Sequence, residues 1–148
     1  MELRRQAQSV YRCMYHVVWI PRYRFKVLVP GVAEYLLIKL DEVRKWYPDI
    51  EYAEKNVQTD HIHLVISFPP KYSIAKVIQL LKANTSRAMM KKFEFLRNRY
   101  YGRPGMWSVG YFVSTVGLDE EMIKRYVKYQ EREDRGQAKL AFPKVPRT

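Results

Sequence analysis

Two short segments carry side chains able to do chemistry. In Asp60-His61-Ile62-His63-Leu64-Val65-Ile66-Ser67-Phe68 two histidines stand one residue apart. On a strand, alternate side chains share a face. Ile62, Leu64, Ile66 and Phe68 then line one face, and His61, His63, Val65 and Ser67 the other. Imidazoles placed side by side in this way can share one metal ion. Alone, the pair reads more readily as two unrelated surface histidines on a half-exposed sheet. The second segment is Lys124-Arg125-Tyr126-Val127-Lys128-Tyr129-Gln130. Tyr126 and Gln130 are four apart, so a helix places them on one face. The phenol offers a nucleophile and the amide oxygen a neutral third ligand. In a chain with 12 tyrosines, the plainer alternative is a half-buried aromatic beside a solvated amide.

The elements that must hold these residues follow from local pattern. Tyr11–Trp19 is aromatic and β-branched and predicts a strand. It runs into a basic aromatic loop, Pro21-Arg22-Tyr23-Arg24-Phe25-Lys26. Pro30 and Gly31 open a helix to about Tyr47, with Leu36, Leu40, Val43 and Tyr47 as its inner stripe, and Pro48 ends it. Ile50–Val57 and His61–Phe68 predict two further strands, the second stopped by Pro69-Pro70. Ser73 is the expected N-cap of a second helix. Its buried face is Ile74, Val77, Ile78, Leu81, Thr85, Ala88 and Met89. Its other faces carry Lys76, Lys82, Arg87, Lys91 and Lys92. Met106–Val116 predicts a fourth strand with Trp107, Val109, Tyr111 and Val113 on one face. Asp119, Glu120 and Glu121 supply the acidic first turn that a helix dipole favours, and this last helix fades near Gly136. The order β-α-β-β-α-β describes an α+β, ferredoxin-like (RRM-like) plait: an antiparallel sheet with helices on one face, plus a C-terminal helix.

Composition bounds the class. The 148 residues make one domain, 1–148, with loosely held termini expected over 1–9 and 137–148. At 47% hydrophobic and 14% aromatic residues, the composition excludes disorder. The formal charge of +12 points to a polyanionic partner, nucleic acid or an acidic membrane surface. The one cysteine, Cys13, excludes an internal disulfide and fits a reducing compartment. No apolar run approaches a membrane span, and the N-terminus lacks a signal-peptide core. The expectation is a cytoplasmic protein, associated with the nucleoid if that polyanion is DNA.

Taken together, the motifs resemble the HUH endonucleases, with Ile62 as the hydrophobic residue between the histidines, and most closely the single-tyrosine transposases of the IS200/IS605 type. The resemblance runs from Tyr11 to about Gly136. It includes the Tyr-His-Val-Val-Trp-Ile-Pro-Arg-Tyr-Arg opening, Thr59-Asp60-His61-Ile62-His63-Leu64, the helix segment Leu-Lys-Ala-Asn-Thr-Ser-Arg at 81–87, Trp107 to Gly117, and Tyr126-x-x-x-Gln130. It implies cleavage and rejoining of single-stranded DNA at insertion-sequence ends that carry hairpins. Tyr126 would form a 5′-phosphotyrosine. A divalent cation, Mg²⁺ or Mn²⁺, would sit on His61, His63 and Gln130, all neutral ligands. A closed tetrahedral zinc site does not fit a single cysteine.

The resemblance also implies a homodimer, since one tyrosine serves one strand end. The histidines face away from the helix-covered side of the sheet. The Tyr126 helix must therefore reach the opposite face. Supply in trans by a partner subunit is the favoured arrangement, with assembly in cis left open. Lys82, Asn84, Ser86 and Arg87 lie on or beside the family's DNA-contacting helix, and Arg22, Tyr23 and Arg24 in the loop after the first strand; cations would meet phosphates and Tyr23 could stack a base. The plainer reading of such a face is a solvated one, with Trp107 and Tyr111 in the core.

Two other functions stay open. One is a domesticated HUH nuclease acting on repeated palindromes. The other is a non-catalytic RRM-like nucleic-acid-binding module, although its Lys/Arg-Gly-Phe/Tyr-x-Phe signature is absent. A membrane-surface role is disfavoured, because no helix sets a basic face against an exposed Trp/Phe/Leu face.

Overall fold

A computed structural model describes residues 4–6, 9–11 and 13–136. Strands β1 (Arg4–Gln6) and β2 (Ser9–Tyr11) pair antiparallel by themselves, with Arg4 opposite Tyr11. The rest of segment 1–9 and all of 137–148 lie outside the described residues, so the expectation for those termini is left there.

The main sheet is β3 (Tyr15–Trp19), β4 (Glu51–Gln58), β5 (His61–Ser67) and β6 (Phe112–Ser114), in the spatial order β4-β5-β3-β6 and antiparallel throughout. This is the order of a ferredoxin-like plait. Period two explains why the sheet is two-sided. Val17 and Trp19 of β3 and Ile62, Leu64 and Ile66 of β5 are buried in one core, with Val113 of β6 partly buried against it. Val18 and Phe112 turn to the other side.

Two helices cover the first face. α1 (Pro30–Glu42) starts with proline in its first turn, where no intrahelical N–H is needed. It buries Val32, Leu36 and Leu40 and passes into a 3₁₀ turn at Val43–Lys45. α2 (Ile74–Lys92) is capped by the Ser73 hydroxyl, which accepts from the Lys76 N–H at 3.1 Å. It buries Val77, Ile78, Leu81, Lys82, Thr85 and Met89. Phe93 has an extended backbone that ends α2 and starts the short α3 (Glu94–Arg99), an element the periodicity did not separate.

α4 (Glu120–Asp134), capped by Asp119, covers the second face. Its Ile123, Tyr126 and Val127 form a second core with Val18, Ile20 and Phe112. Each such side chain contributes about 1.5–3 kcal/mol relative to exposure. The chain thus carries its own last helix to the histidine side of the sheet. In this single chain no partner is needed to bring the helix to that face.

The fourth strand is shorter than expected. Only Phe112–Ser114 pairs as a strand, and before it the segment makes isolated bridges, among them Trp107 with Pro21. The carbonyls of Ser108, Val109 and Gly110 accept instead from the Lys82 ammonium at 2.7, 3.2 and 3.1 Å. Trp107 and Tyr111 are core residues, but Val109 is exposed and does not share their face. No helix among the described residues is long and apolar enough to cross a membrane.

Candidate active site

His61 and His63 lie on the second face of β5, opposite Gln58 and Asn56 of β4. The four side chains form one wall of a cleft of about 530 Å³. Leu118, Glu120, Ile123 and Lys124, at and before the start of α4, form the other. The alternation read from the sequence therefore places both imidazoles in one depression beside the last helix.

Each imidazole has a partner on one ring nitrogen. His61 Nδ1 lies 2.9 Å from Asp60 Oδ1, so its N–H donates to the carboxylate and Nε2 is the nitrogen left for another partner. Arg24 donates from Nε to Asp60 Oδ2 at 2.9 Å and from Nη1 to Glu131 of α4, also at 2.9 Å. The His61 hydrogen bond, followed by that of Arg24, holds the Asp60 carboxyl at about 2, below the ordinary range. His63 Nε2 lies 3.4 Å from Nδ1 of His16 on β3. Burial, with His16 beside it, lowers the His63 pKa and keeps that ring neutral, as a ligand must be. His16 was missed as a site residue. Its signal was present, because the alternation that buries Val17 and Trp19 turns His16 and Val18 to the opposite face.

Tyr126 and Gln130 are also brought together, but elsewhere. Tyr126 is 0% exposed, with its ring 5.6 Å from that of Phe112. Its hydroxyl donates to Gln130 Oε1 at 3.2 Å. Gln130 Nε2 donates to Asp134 Oδ1 at 3.1 Å, which also accepts from Ser108 Oγ at 2.7 Å. Gly110 lets the amide approach: a Cβ there would stand 2.6 Å from Gln130 Oε1. Neither Tyr126 nor Gln130 lines the histidine cleft. The half-buried and solvated positions first pictured for them are both replaced by full burial.

The residues expected to touch DNA divide. Lys82 is not on the surface. It is 7% exposed, bound to the three carbonyls before β6, and burial brings its pKa down to about 7. The helical period had already placed it beside Ile78 and Thr85, and only its charge suggested otherwise. Ser86 Oγ accepts from the Met106 N–H at 3.1 Å. Arg24 is engaged by Asp60 and Glu131. Tyr23 has guanidinium groups of Arg103 and Arg135 at 5.4 and 5.7 Å from its ring centre. Arg22 is half-buried, and its backbone N–H donates to Met106 O at 2.8 Å. The loop after β3 therefore docks α4: the Tyr23 N–H donates to Asp134 Oδ2 at 2.8 Å, and Arg135 donates to the Tyr23 carbonyl at 2.7 Å. Tyr23 and Arg24 hold left-handed backbones, φ 64° and 59°, which that docking stabilises. Asn84 and Arg87 stay accessible, in a groove between α1 and α2 with Lys39, Lys91 and the exposed Trp46.

The family whose model is described as "Transposase IS200 like" matches residues 9–130, ending on Gln130. The chain belongs to this family. As an IS200-like transposase it is 30% identical over 137 residues to the transposase for insertion sequence element IS200 of Salmonella typhimurium, covering 93% of this chain and 89% of that protein. The ISDra2 transposase TnpA of Deinococcus radiodurans is 28% identical over 131 residues, 88% of this chain and 92% of that protein. Among solved structures, a candidate transposase from Deinococcus radiodurans R1 superposes with a TM-score of 0.74 at 27% identity, covering 86% of this chain and 97% of that one. A REP-associated tyrosine transposase bound to a REP hairpin superposes with a TM-score of 0.53 at 15% identity, covering 86% and 73%, and shares the fold.

Proposed function

We propose that this transposase cleaves and rejoins single-stranded DNA at hairpin-bearing insertion-sequence ends, with the Tyr126 phenol as nucleophile. One observation carries the reading: His61 and His63 open into a cleft whose other wall is the helix that bears Tyr126 and Gln130.

The donor set suits a divalent cation such as Mg²⁺ or Mn²⁺. His61 keeps Nε2 for it, His63 is held neutral, and the Gln130 amide oxygen would be a third uncharged donor. Among the described residues no three His, Cys, Asp or Glu side chains form such a site, and water and phosphate oxygens would complete the shell. When bound, the cation would polarise the scissile phosphate and offset its developing charge. As folded here, the Gln130 amide is turned to Tyr126 and Asp134, and no phosphate can reach a fully buried phenol. Both residues sit on one buried face of α4, so the reaction requires that face to be turned toward the histidines.

Once presented, the Tyr126 oxygen attacks phosphorus and its proton passes to solvent. The bond to the 3′ oxygen breaks and that oxygen takes up a proton. The products are a 5′-phosphotyrosine and a 3′-hydroxyl. Attack by a later 3′-hydroxyl reverses the step without ATP. Two strand ends need two phenols, which a homodimer supplies. Whether α4 then serves its own sheet or its partner's is set by how it re-docks.

Labelled single-stranded hairpin DNA incubated with Mn²⁺ and resolved on a denaturing gel tests this. Wild type forms a covalent protein–DNA adduct. Tyr126→Phe binds the DNA and forms none; an adduct that persists rules out this nucleophile. His61→Ala and His63→Ala remain folded and lose Mn²⁺-dependent cleavage.

A further inference from the structure

His16 is the third imidazole of the second face, and neither the motif nor the cleft accounts for it. β3 pairs with β5 so that Val18 stands opposite His63 and His16 opposite Val65, which makes His16 and His63 diagonal neighbours on one face. Their rings lie 5.6 Å apart at 34°, and His16 Nδ1 is 3.4 Å from His63 Nε2.

A neutral imidazole carries one N–H and one lone pair. If His16 donates, His63 accepts at Nε2 and carries its own proton on Nδ1. It then has no lone pair for a cation. If His63 donates from Nε2, its Nδ1 is free. Only the second direction keeps the contact and leaves His63 a ligand. We propose that His16 is a positioning residue for His63, accepting its Nε2–H and so assigning Nδ1 to the cation. This rests on the reading that His61 and His63 hold that cation.

The two ligands would then be fixed by unlike acceptors. A carboxylate, Asp60, holds His61 by Nδ1, and a neutral imidazole holds His63 by Nε2. Metal-binding histidines commonly donate their other N–H in this way, and removing the acceptor typically lowers metal affinity by about 10–100-fold.

The test has two arms, both without DNA. Long-range ¹H–¹⁵N correlation spectra of the metal-free protein at pH 7.5 report which nitrogen of each ring is protonated. The expected result is a proton on Nε2 of His63 and on Nε2 of His16. A proton on Nδ1 of His63 overturns the proposal, and this arm needs no variant to fold. In the second arm, Mn²⁺ alone is titrated and followed by electron paramagnetic resonance. His16→Phe keeps a ring but no acceptor and should weaken Mn²⁺ by about 10–100-fold. His16→Gln restores an acceptor and should recover most of the affinity. Equal affinity of wild type and His16→Phe overturns the proposal while leaving the cation reading intact. A wild type that takes up no Mn²⁺ overturns both.

Discussion

Asp60 lies between a ring N–H and a guanidinium, and this local arrangement has a stability consequence. Its carboxyl, ordinarily near 3.8, is held at about 2 by His61 and then Arg24. A depressed carboxylate stabilises the fold above its unfolded value, and that contribution is lost as pH falls from about 4 to about 2. At about 1.4 kcal/mol per unit it amounts to about 2 kcal/mol. Asp60→Asn should be less stable than wild type by about that much at pH 6, and the gap should close toward pH 2. Urea unfolding at a series of pH values measures it, and a constant gap would contradict the argument. At this scale the sequence was readable wherever alternation alone decided. Period two put His61 and His63 on one face, and they are there. The same rule applied to the first strand indicates His16. Lys82 was misplaced because charge was given more weight than its helical position beside Ile78 and Thr85.

The plait itself was legible because its strands and helices follow clean periods. β6 was overextended because a strand pattern cannot show that a lysine from α2 takes the carbonyls a ladder would use. α4 was correctly bounded by Asp119 and Gly136, but sequence period fixes a buried stripe and not what lies beneath it. Ile123, Tyr126, Val127 and Gln130 are that stripe, and they pack on the chain's own sheet. The tightest point is Gly110 against Gln130. Gly110→Ala sets a methyl 2.6 Å from the amide oxygen, which must displace the side chain and weaken its bond to Tyr126. The expected loss is about 1–3 kcal/mol. Faster hydrogen exchange should be confined to α4 and the segment under it. Unchanged protection of α4 would show that the amide yields without cost.

Across the whole molecule, the +12 charge predicts DNA affinity that falls steeply with salt. The structure narrows which cations take part. Each phosphate contact on single-stranded DNA contributes about 0.7 to the slope of log affinity against log salt. Arg87→Ala should shallow that slope by about this amount. Lys82→Met should leave it unchanged and lower thermal stability instead, since Lys82 holds carbonyls rather than phosphates. Fluorescence anisotropy over a potassium chloride series separates the two, and a shallower slope for Lys82→Met would return that lysine to the DNA surface.

The packing of α4 bears on restraint as well as on reaction. On the proposed reading, a strand-cutting phenol that is fully buried and hydrogen-bonded to Gln130 cannot nick whatever unpaired DNA drifts past. Collision is harmless until something with enough affinity pries the helix loose, so discrimination between a mobile element's own ends and the rest of a genome can begin before any bond is at risk.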